Sequence, residues 1–303
     1  MRVCVFGAGS LGSAIGGLLS AKNEVVLVGR RPHVLAVRRN GLEMRGDVRR
    51  RVVVDARENV DGLPSPDLLL IATKAYDTKN AVSICRRWAG ESTMVLTLQN
   101  GLGNLEILRE WKKSRAYGGT TTLGANLTEP GVVRLSGLGK TVIGSDLDEQ
   151  NAAWLARNFS SSGIPTTVSR DIGREIWEKA VVSASINPTT AILRIRSGRL
   201  LESDFTRRFI EEVALESVRV AVAHGLPLRS KEVLSRIRAV AKDTAGNRSS
   251  MLQDVERGRK TEISMINGSI ARTALLEGVA APLNSALTVI VEELERQTAH
   301  GKG

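Results

Sequence analysis

Aromatic residues are scarce. Phe, Tyr and Trp make up 3% of the 303 residues, so any core must rest on Leu, Val, Ile and Ala. There are two cysteines, Cys4 and Cys85, too few to staple a chain of this length, and a reducing compartment is expected. Cys4 sits in the apolar run Val3-Cys4-Val5-Phe6 and reads as core. Cys85 falls in an expected helix and reads as a quiet, partly buried thiol more readily than as a reactive one. No apolar stretch reaches the ~18 residues that span a bilayer. No basic segment followed by an apolar one precedes the first Gly-rich turn, so a secretory leader is not expected and a cytoplasmic location is. Internal repeats, low-complexity tracts and coiled-coil heptads are absent, and so is any basic tail or nucleic-acid motif.

What the chain has is a globular balance, 42% hydrophobic and 25% charged, in a length that suggests two domains. The formal net charge is +11 and the pI about 10.2. Such a balance suits an anionic partner, whether nucleic acid, an acidic membrane or small phosphorylated and carboxylated ligands. A solvated basic surface explains it equally simply, because the arginines are dispersed and the densest cluster, Arg49-Arg50-Arg51, runs straight into Val52-Val53-Val54.

The first half alternates short apolar runs with helical patterns. Strands are expected at Arg2 to Phe6, Glu24 to Val28, Asp67 to Ala72 and Met94 to Leu98. Helices are expected at Ser10 to Ser20, Val34 to Arg39, Asp77 to Trp88 and Asn104 to Trp111. This alternation implies βαβ units around a buried parallel sheet. Further β-like segments lie near 116–118, 132–133 and 141–143. From about Asp171 the periodicity turns helical, with segments near 172–186, 204–224, 230–242, 249–276 and 284–299. The expected fold is α/β: an N-terminal Rossmann-type doubly wound parallel sheet over 1–167 and a C-terminal all-helical domain over 168–303.

The first strand ends in Gly7-Ala8-Gly9-Ser10-Leu11-Gly12 and a helix follows. This is G-x-G-x-x-G in its required strand–turn–helix context. Gly7 permits the tight turn, Gly9 lets the backbone approach a pyrophosphate, and Gly12 lets helix and strand pack closely. The phosphates then meet free N–H groups at the helix N-terminus. A carboxylate at the end of the second strand would bind a ribose 2′-hydroxyl, but Arg30 and Arg31 stand there, in Val28-Gly29-Arg30-Arg31-Pro32. A guanidinium fork suits a 2′-phosphate, so NADP(H) is the expected cofactor, unless one arginine only stacks on the adenine. Ligands in open α/β sheets lie beyond the carboxyl ends of the strands. Lys74 is therefore expected at the cofactor. Asn100 is expected at the nicotinamide ribose or the substrate, although Asn-Gly is also an ordinary turn pair.

In the second half, Lys179, Ser183 and Asn187 recur every four residues along an otherwise apolar helix and share a face. Burial lowers a lysine's pKa, so Lys179 is a candidate proton donor, against the alternative of a snorkelling side chain at a helix edge. Asn247, Ser250, Asp254 and Glu262 fall within about 120° of arc if 249–276 is one helix at about 100° per residue. Gly258 lies on that arc and would leave room for a ligand. A solvated face is the plainer account of Asp254.

Together these residues resemble the ketopantoate reductase (2-dehydropantoate 2-reductase) family over essentially the whole chain. The resemblance rests on the Gly-rich start, Thr73-Lys74-Ala75, Gln99-Asn100-Gly101, Gly119-Thr120-Thr121-Thr122 and Lys179 with Ile186-Asn187-Pro188. It rests most specifically on Ser249-Ser250-Met251-Leu252-Gln253-Asp254, Thr261-Glu262-Ile263 and Ile266-Asn267-Gly268. It implies NADPH-dependent reduction of 2-dehydropantoate to (R)-pantoate, on the route to pantothenate and coenzyme A. Lys179 would be the general acid, and Glu262 would bind substrate and position the lysine. Asn247, Ser250, Asn187 and Asn100 would line the substrate, Lys74 would contact cofactor, and Asn100 and Glu262 would also reach it. Two positions depart: Ser183 and Ser197 stand where the family often has Asn, which shortens either contact. A related reductase of another 2-oxo acid or imine therefore stays open, as does a non-catalytic NADP-binding sensor. The expected partner is a small-molecule 2-oxo acid, with no nucleic acid and no membrane; a homodimer through the C-terminal helices is left open.

Overall fold

The computed structural model describes residues 1–300. The chain divides into two compact units. The first holds 1–99 and 104–175; the second holds 100–103 and the chain from 176 onward.

The first unit begins with β1 (Arg2–Phe6), α1 (Ser10–Leu19), β2 (Glu24–Val28) and α2 (Arg31–Asn40). Next come β3 (Leu42–Gly46), β4 (Arg50–Val52), β5 (Asp55–Arg57) and β6 (Leu68–Ile71). They are followed by α3 (Thr78–Cys85), β7 (Met94–Thr97), α4 (Asn104–Lys112) and β8 (Ala116–Thr121). The unit closes with β9 (Ala125–Glu129), β10 (Val132–Leu135), β11 (Thr141–Gly144), α5 (Glu149–Ser161) and β12 (Thr166–Ser169). Eight strands form one sheet in the order β12-β11-β8-β7-β6-β1-β2-β5. The run from β5 to β8 is parallel, while β11 lies antiparallel to β8. The central strands are apolar without alternation: Leu68 to Ile71 and Met94 to Thr97 are buried throughout, as a sheet covered on both faces requires.

A second, four-stranded sheet in the order β4-β3-β10-β9 is absent from the expectation. Helix α1 lies between the two sheets, and its small residues permit this. A Cβ on Gly16 would come within 2.4 Å of Leu27 in the large sheet, and one on Gly17 within 2.9 Å of Leu42 and Met44 in the small one. A larger residue at either position would have to displace those side chains.

The second unit is helical: α6 (Ile172–Leu193), whose first turn falls in the first unit, α7 (Asp204–Ala223), α8 (Ser230–Asp243), α9 (Ser250–Glu256), α10 (Asn267–Leu276) and α11 (Pro282–His300). Its core is built from Val181, Ala184, Ile210, Ala214, Val220, Ile237, Ile270 and Val291, with Leu102 of the 100–103 segment packed among them. Helix α6 runs seven residues past the expected end and carries Pro188 inside it.

The expectation of one helix over 249–276 is overturned. Helix α9 ends at Glu256, and Gly258, at φ +62°, closes it with paired bonds from Gly258 N to Val255 O (3.0 Å) and from Arg259 N to Asp254 O (2.8 Å). These are the two bonds of a Schellman cap, which needs a residue in the left-handed region. Gly258 therefore stops a helix; it is not a gap for a ligand. Glu262 lies in the connection before a 3₁₀ turn at Ile263–Met265, so the common arc drawn through Asn247 and Glu262 does not exist.

Candidate active site

The first unit carries the dinucleotide cradle. Gly7 N and Ala8 N both donate to Val28 O (2.9 and 2.8 Å), which folds the Gly-rich turn over the end of β2. Gly7 adopts φ +110°, and a Cβ there would strike Thr73 N at 2.5 Å. The chain thus reverses where the β1 and β6 loops meet, at the switch point of the sheet. Gly12 is packed as closely: its Cβ would lie 2.2 Å from Gly7 O. Gly9 differs, because a Cβ there would meet nothing within 4 Å, and no side chain caps the N-terminus of α1. An open surface of backbone N–H groups with a helix dipole behind it fits a pyrophosphate. The residues present therefore fit a bound dinucleotide. Ala8 is buried against Gly29, Leu11 packs on the core, and Ser10 Oγ accepts Leu127 N at 2.9 Å, tying the turn to the small sheet.

Two supports escaped the sequence reading. His33 is buried, and its Nδ1 accepts Gly131 N at 3.0 Å, which leaves Nε2 to donate to Ser13 Oγ at 3.0 Å. Burial lowers its pKa and keeps this clamp neutral. Gln99 Nε2 donates to Thr73 O at 2.8 Å and to Thr78 Oγ1 at 2.9 Å, while its Oε1 accepts Thr97 Oγ1 at 2.8 Å. That fixes the loop carrying Lys74, which is half-buried at the end of β6. At the end of β2, Arg30 is exposed at the N-cap of α2, and Arg31, which starts the helix, lies 4.0 Å from Glu58. Both cysteines are buried. Burial pushes the Cys4 thiol far up and the Cys85 thiol up to about 12, which suppresses the thiolate that reactivity needs.

The second unit holds the titratable pair. Along α6 the residues from Ala180 to Thr190 are buried, with two exceptions, Ser183 and Asn187, which continue the half-buried stripe begun at Lys179. Lys179 keeps some solvent access, yet the protein packed around its ammonium dominates: desolvation lowers its pKa from 10.5 to about 8, against the opposing attraction of Glu262. Glu262 is buried, and its Oε2 accepts Asn100 Nδ2 at 3.2 Å. Asn100 is held by its neighbours, since Leu102 N donates to Met265 O at 2.9 Å and Gly101 leaves no room for a Cβ, which would lie 2.4 Å from that same oxygen. The 100–103 segment thus locks onto the Glu262–Ile266 connection and presents an amide to the carboxylate.

The remaining expected substrate residues sit around the end of α6. Asn247 is exposed in the loop between α8 and α9. Ser197 is buried, and both its N (3.1 Å) and its Oγ (3.5 Å) bond to Asn247 O, so it supports Asn247. Ser249 caps α9 by accepting Leu252 N (3.1 Å) and also accepts Thr190 Oγ1 (2.7 Å), which leaves the neighbouring Ser250 exposed as the first residue of the helix. Asp254, expected on a solvated face, is buried instead. Among the described residues no helix is long and apolar enough to cross a membrane, and no cluster of His, Cys, Asp and Glu could hold a metal.

The family model "Ketopantoate reductase PanE/ApbA" matches residues 3–147, and its companion, "Ketopantoate reductase PanE/ApbA C terminal", matches 171–295. The 2-dehydropantoate 2-reductase of Halobacterium salinarum is 39% identical over 306 residues, covering 98% of this chain and 99% of that protein. That of Pyrococcus horikoshii is 36% identical over 298 residues, covering 97% and 98%. Among solved structures, a D-mandelate dehydrogenase with NADH and anilino(oxo)acetate superposes with a TM-score of 0.93 at 28% identity, covering 98% of this chain and 99% of that one. A PanE/ApbA family ketopantoate reductase from Ralstonia eutropha gives 0.91 at 30% identity, with the same coverage.

Proposed function

Because the chain belongs to the ketopantoate reductase PanE/ApbA family, we propose that it reduces 2-dehydropantoate to (R)-pantoate with NADPH, on the route to pantothenate and coenzyme A. The observation that carries this is Lys179, a half-buried ammonium with its pKa lowered to about 8, set against the buried carboxylate Glu262.

The bound cofactor supplies the hydride that adds to the substrate's C2. Everything else falls to the chain. Lys179 gives a proton to the carbonyl oxygen as charge develops there and becomes a neutral amine, so one proton is taken up per turnover. A general acid works best with a pKa near the operating pH, and such transfer contributes roughly 10²–10⁴-fold. Unperturbed, the lysine would hold its proton too tightly; without Glu262 it would hold it too weakly. Glu262 tunes the lysine and accepts a substrate hydroxyl, and Asn100 fixes the carboxylate's orientation. Ser250 and Asn247 supply hydroxyl and amide donors for the substrate carboxylate, and Ser183 and Asn187 line the same stripe. The Gly7–Gly12 turn and Lys74 hold the dinucleotide, and Arg30, with Arg31, holds a 2′-phosphate.

The direct test follows reduced-nicotinamide absorbance with 2-dehydropantoate. Lys179→Ala abolishes turnover while NADPH affinity is retained; turnover persisting in that variant would sink the assignment. A second reading, reduction of a different 2-oxo acid, is favoured by the likeness to a D-mandelate dehydrogenase and by Ser183 and Ser197. An aryl 2-oxo acid turned over with the higher kcat/KM would select it.

A further inference from the structure

Proline inside a helix removes one N–H and orphans the carbonyl four residues back. In α6 the proline is Pro188 and the carbonyl is Ala184 O, on the turn between Ser183 and Asn187. The orphan is answered from another element: Asn267 Nδ2 donates to Ala184 O at 3.0 Å. Asn267 is fully buried at the start of α10, five residues after Glu262, and a single 3₁₀ turn separates the two.

The orientation of that amide is forced by a buried relay. Glu216, buried in α7, accepts Leu283 N, Asn284 N and Asn284 Nδ2 at 3.0, 2.8 and 2.8 Å. The carboxylate requires the NH₂ of Asn284 to face it, so Asn284 turns its Oδ1 to Asn267, which donates at 3.0 Å. Both acceptors facing Asn267, Asn284 Oδ1 and Ala184 O, call for its NH₂, and Asn267 Oδ1 is left buried with no partner. Buried polar atoms are rarely left unpaired. Here the amide gives up its own acceptor to satisfy two others, which marks its position on Ala184 O as the constraint the site obeys.

We propose that Asn267 is a positioning residue: by standing in for the N–H that Pro188 lacks, it sets the register of the Glu262 segment against α6 and so the separation of Glu262 from Lys179. The inference rests on the assignment of those two residues as carboxylate and acid. It explains why a proline is tolerated mid-helix, because the freed carbonyl becomes the docking point for the segment that carries the carboxylate.

The test is a double-mutant cycle. Pro188→Ala restores the helical N–H, so Ala184 O no longer needs Asn267. Asn267→Leu alone lowers kcat by about 10- to 100-fold, the scale of an ångström-sized misplacement. NADPH affinity is kept, and the alkaline limb of the kcat profile moves off pH 8. In the Pro188→Ala chain the same replacement costs at least threefold less and the limb returns. The pH at which the Lys179 amine becomes reactive, read by lysine-directed labelling and mass spectrometry, follows the same pattern without turnover. That arm separates the two ideas: labelling coupled in this way with no turnover of any 2-oxo acid rejects the activity but keeps the positioning role. If Asn267→Leu alone does not fold, recovery of the fold with Pro188→Ala supports the coupling and failure to recover overturns it. Equal losses in both backgrounds, with the Lys179 labelling unmoved, also overturn it.

Discussion

Replacing Glu262 by Gln tests the acid assignment most sharply, because two opposing forces set the lysine's pKa and the substitution removes one of them. Desolvation lowers Lys179 from 10.5 to about 8, with Glu262 pulling the other way. At about 8 the amine is roughly nine-tenths protonated at pH 7 and about one-tenth at pH 9, by the ordinary titration relation for a single site. With the charge gone and the shape kept, desolvation acts unopposed and the lysine falls below about 8. A proton donor is active only while protonated, so kcat declines as pH rises through its pKa. The wild-type alkaline limb is expected near pH 8, and that of Glu262→Gln at clearly lower pH. The assay is kcat against pH from 5.5 to 10 at saturating substrate and NADPH, with circular dichroism confirming the fold. A wild-type limb near 10.5, or a limb still near 8 in Glu262→Gln, would refute the reasoning.

Three further outcomes follow from the same geometry. Folded Lys179 binds its proton less tightly than the unfolded chain does, so the penalty is whole below about pH 8 and is relieved as pH rises to 10.5. The stability difference between Lys179→Met and wild type, measured by urea denaturation, should therefore shrink by about 3 kcal/mol across that window; a flat difference would show that the lysine is not desolvated. Gly9→Ala should leave stability within about 0.5 kcal/mol, because nothing lies within 4 Å of the new Cβ, and yet weaken dinucleotide binding about tenfold or more. Gly12→Ala, with its Cβ 2.2 Å from Gly7 O, should cost at least ~1–3 kcal/mol of stability as well; equal melting temperatures for the two would contradict this packing. Arg30→Ala should lower kcat/KM for NADPH about 10- to 100-fold and leave NADH nearly unaffected, as expected for lost charge-assisted bonds to a phosphate; equal losses with both would remove Arg30 from the 2′-phosphate.

The centre of the large sheet was legible because its strands are buried on both faces, whereas the edge strands β5 and β12 were not foreseen. Runs such as Leu68 to Ile71 have no competing helical period, and the glycine turn after β1 has few other uses. Of the small sheet only the segment at Val132-Val133 was legible, and not that it formed a second sheet. Its strand β4 is Arg50-Arg51-Val52, three residues long and largely polar outward, and β3 interleaves Glu43 and Arg45 with buried Leu42 and Met44. Those charges read as solvated surface because one face of each strand is exactly that. The pattern that would have exposed it is the alternation in Leu42-Glu43-Met44-Arg45, over too few residues to stand out.

The polar set around Glu262 shows a different limit. Periodicity asks whether residues share a phase, and Asn247, Ser250, Asp254 and Glu262 nearly do. A helix broken by a Schellman cap and resumed ten residues later can keep the apolar spacing of an unbroken one, since Met251, Leu252 and Val255 before the break and Ile263, Ile266 and Ile270 after it pack into the same core. Gly258 was the available signal. Glycine near an Arg-Gly-Arg-Lys run, with no apolar residue from Glu256 to Lys260, has the composition of a helix end. The break also matters chemically. On a continuous helix Glu262 would present its carboxylate from a fixed phase of a long rod. In the connection it is held by Asn100, with Leu102 N fixed to Met265 O and Asn267 to Ala184 O. The ties come from the distant 100–103 segment and from α6, so no local pattern could have revealed what holds the carboxylate.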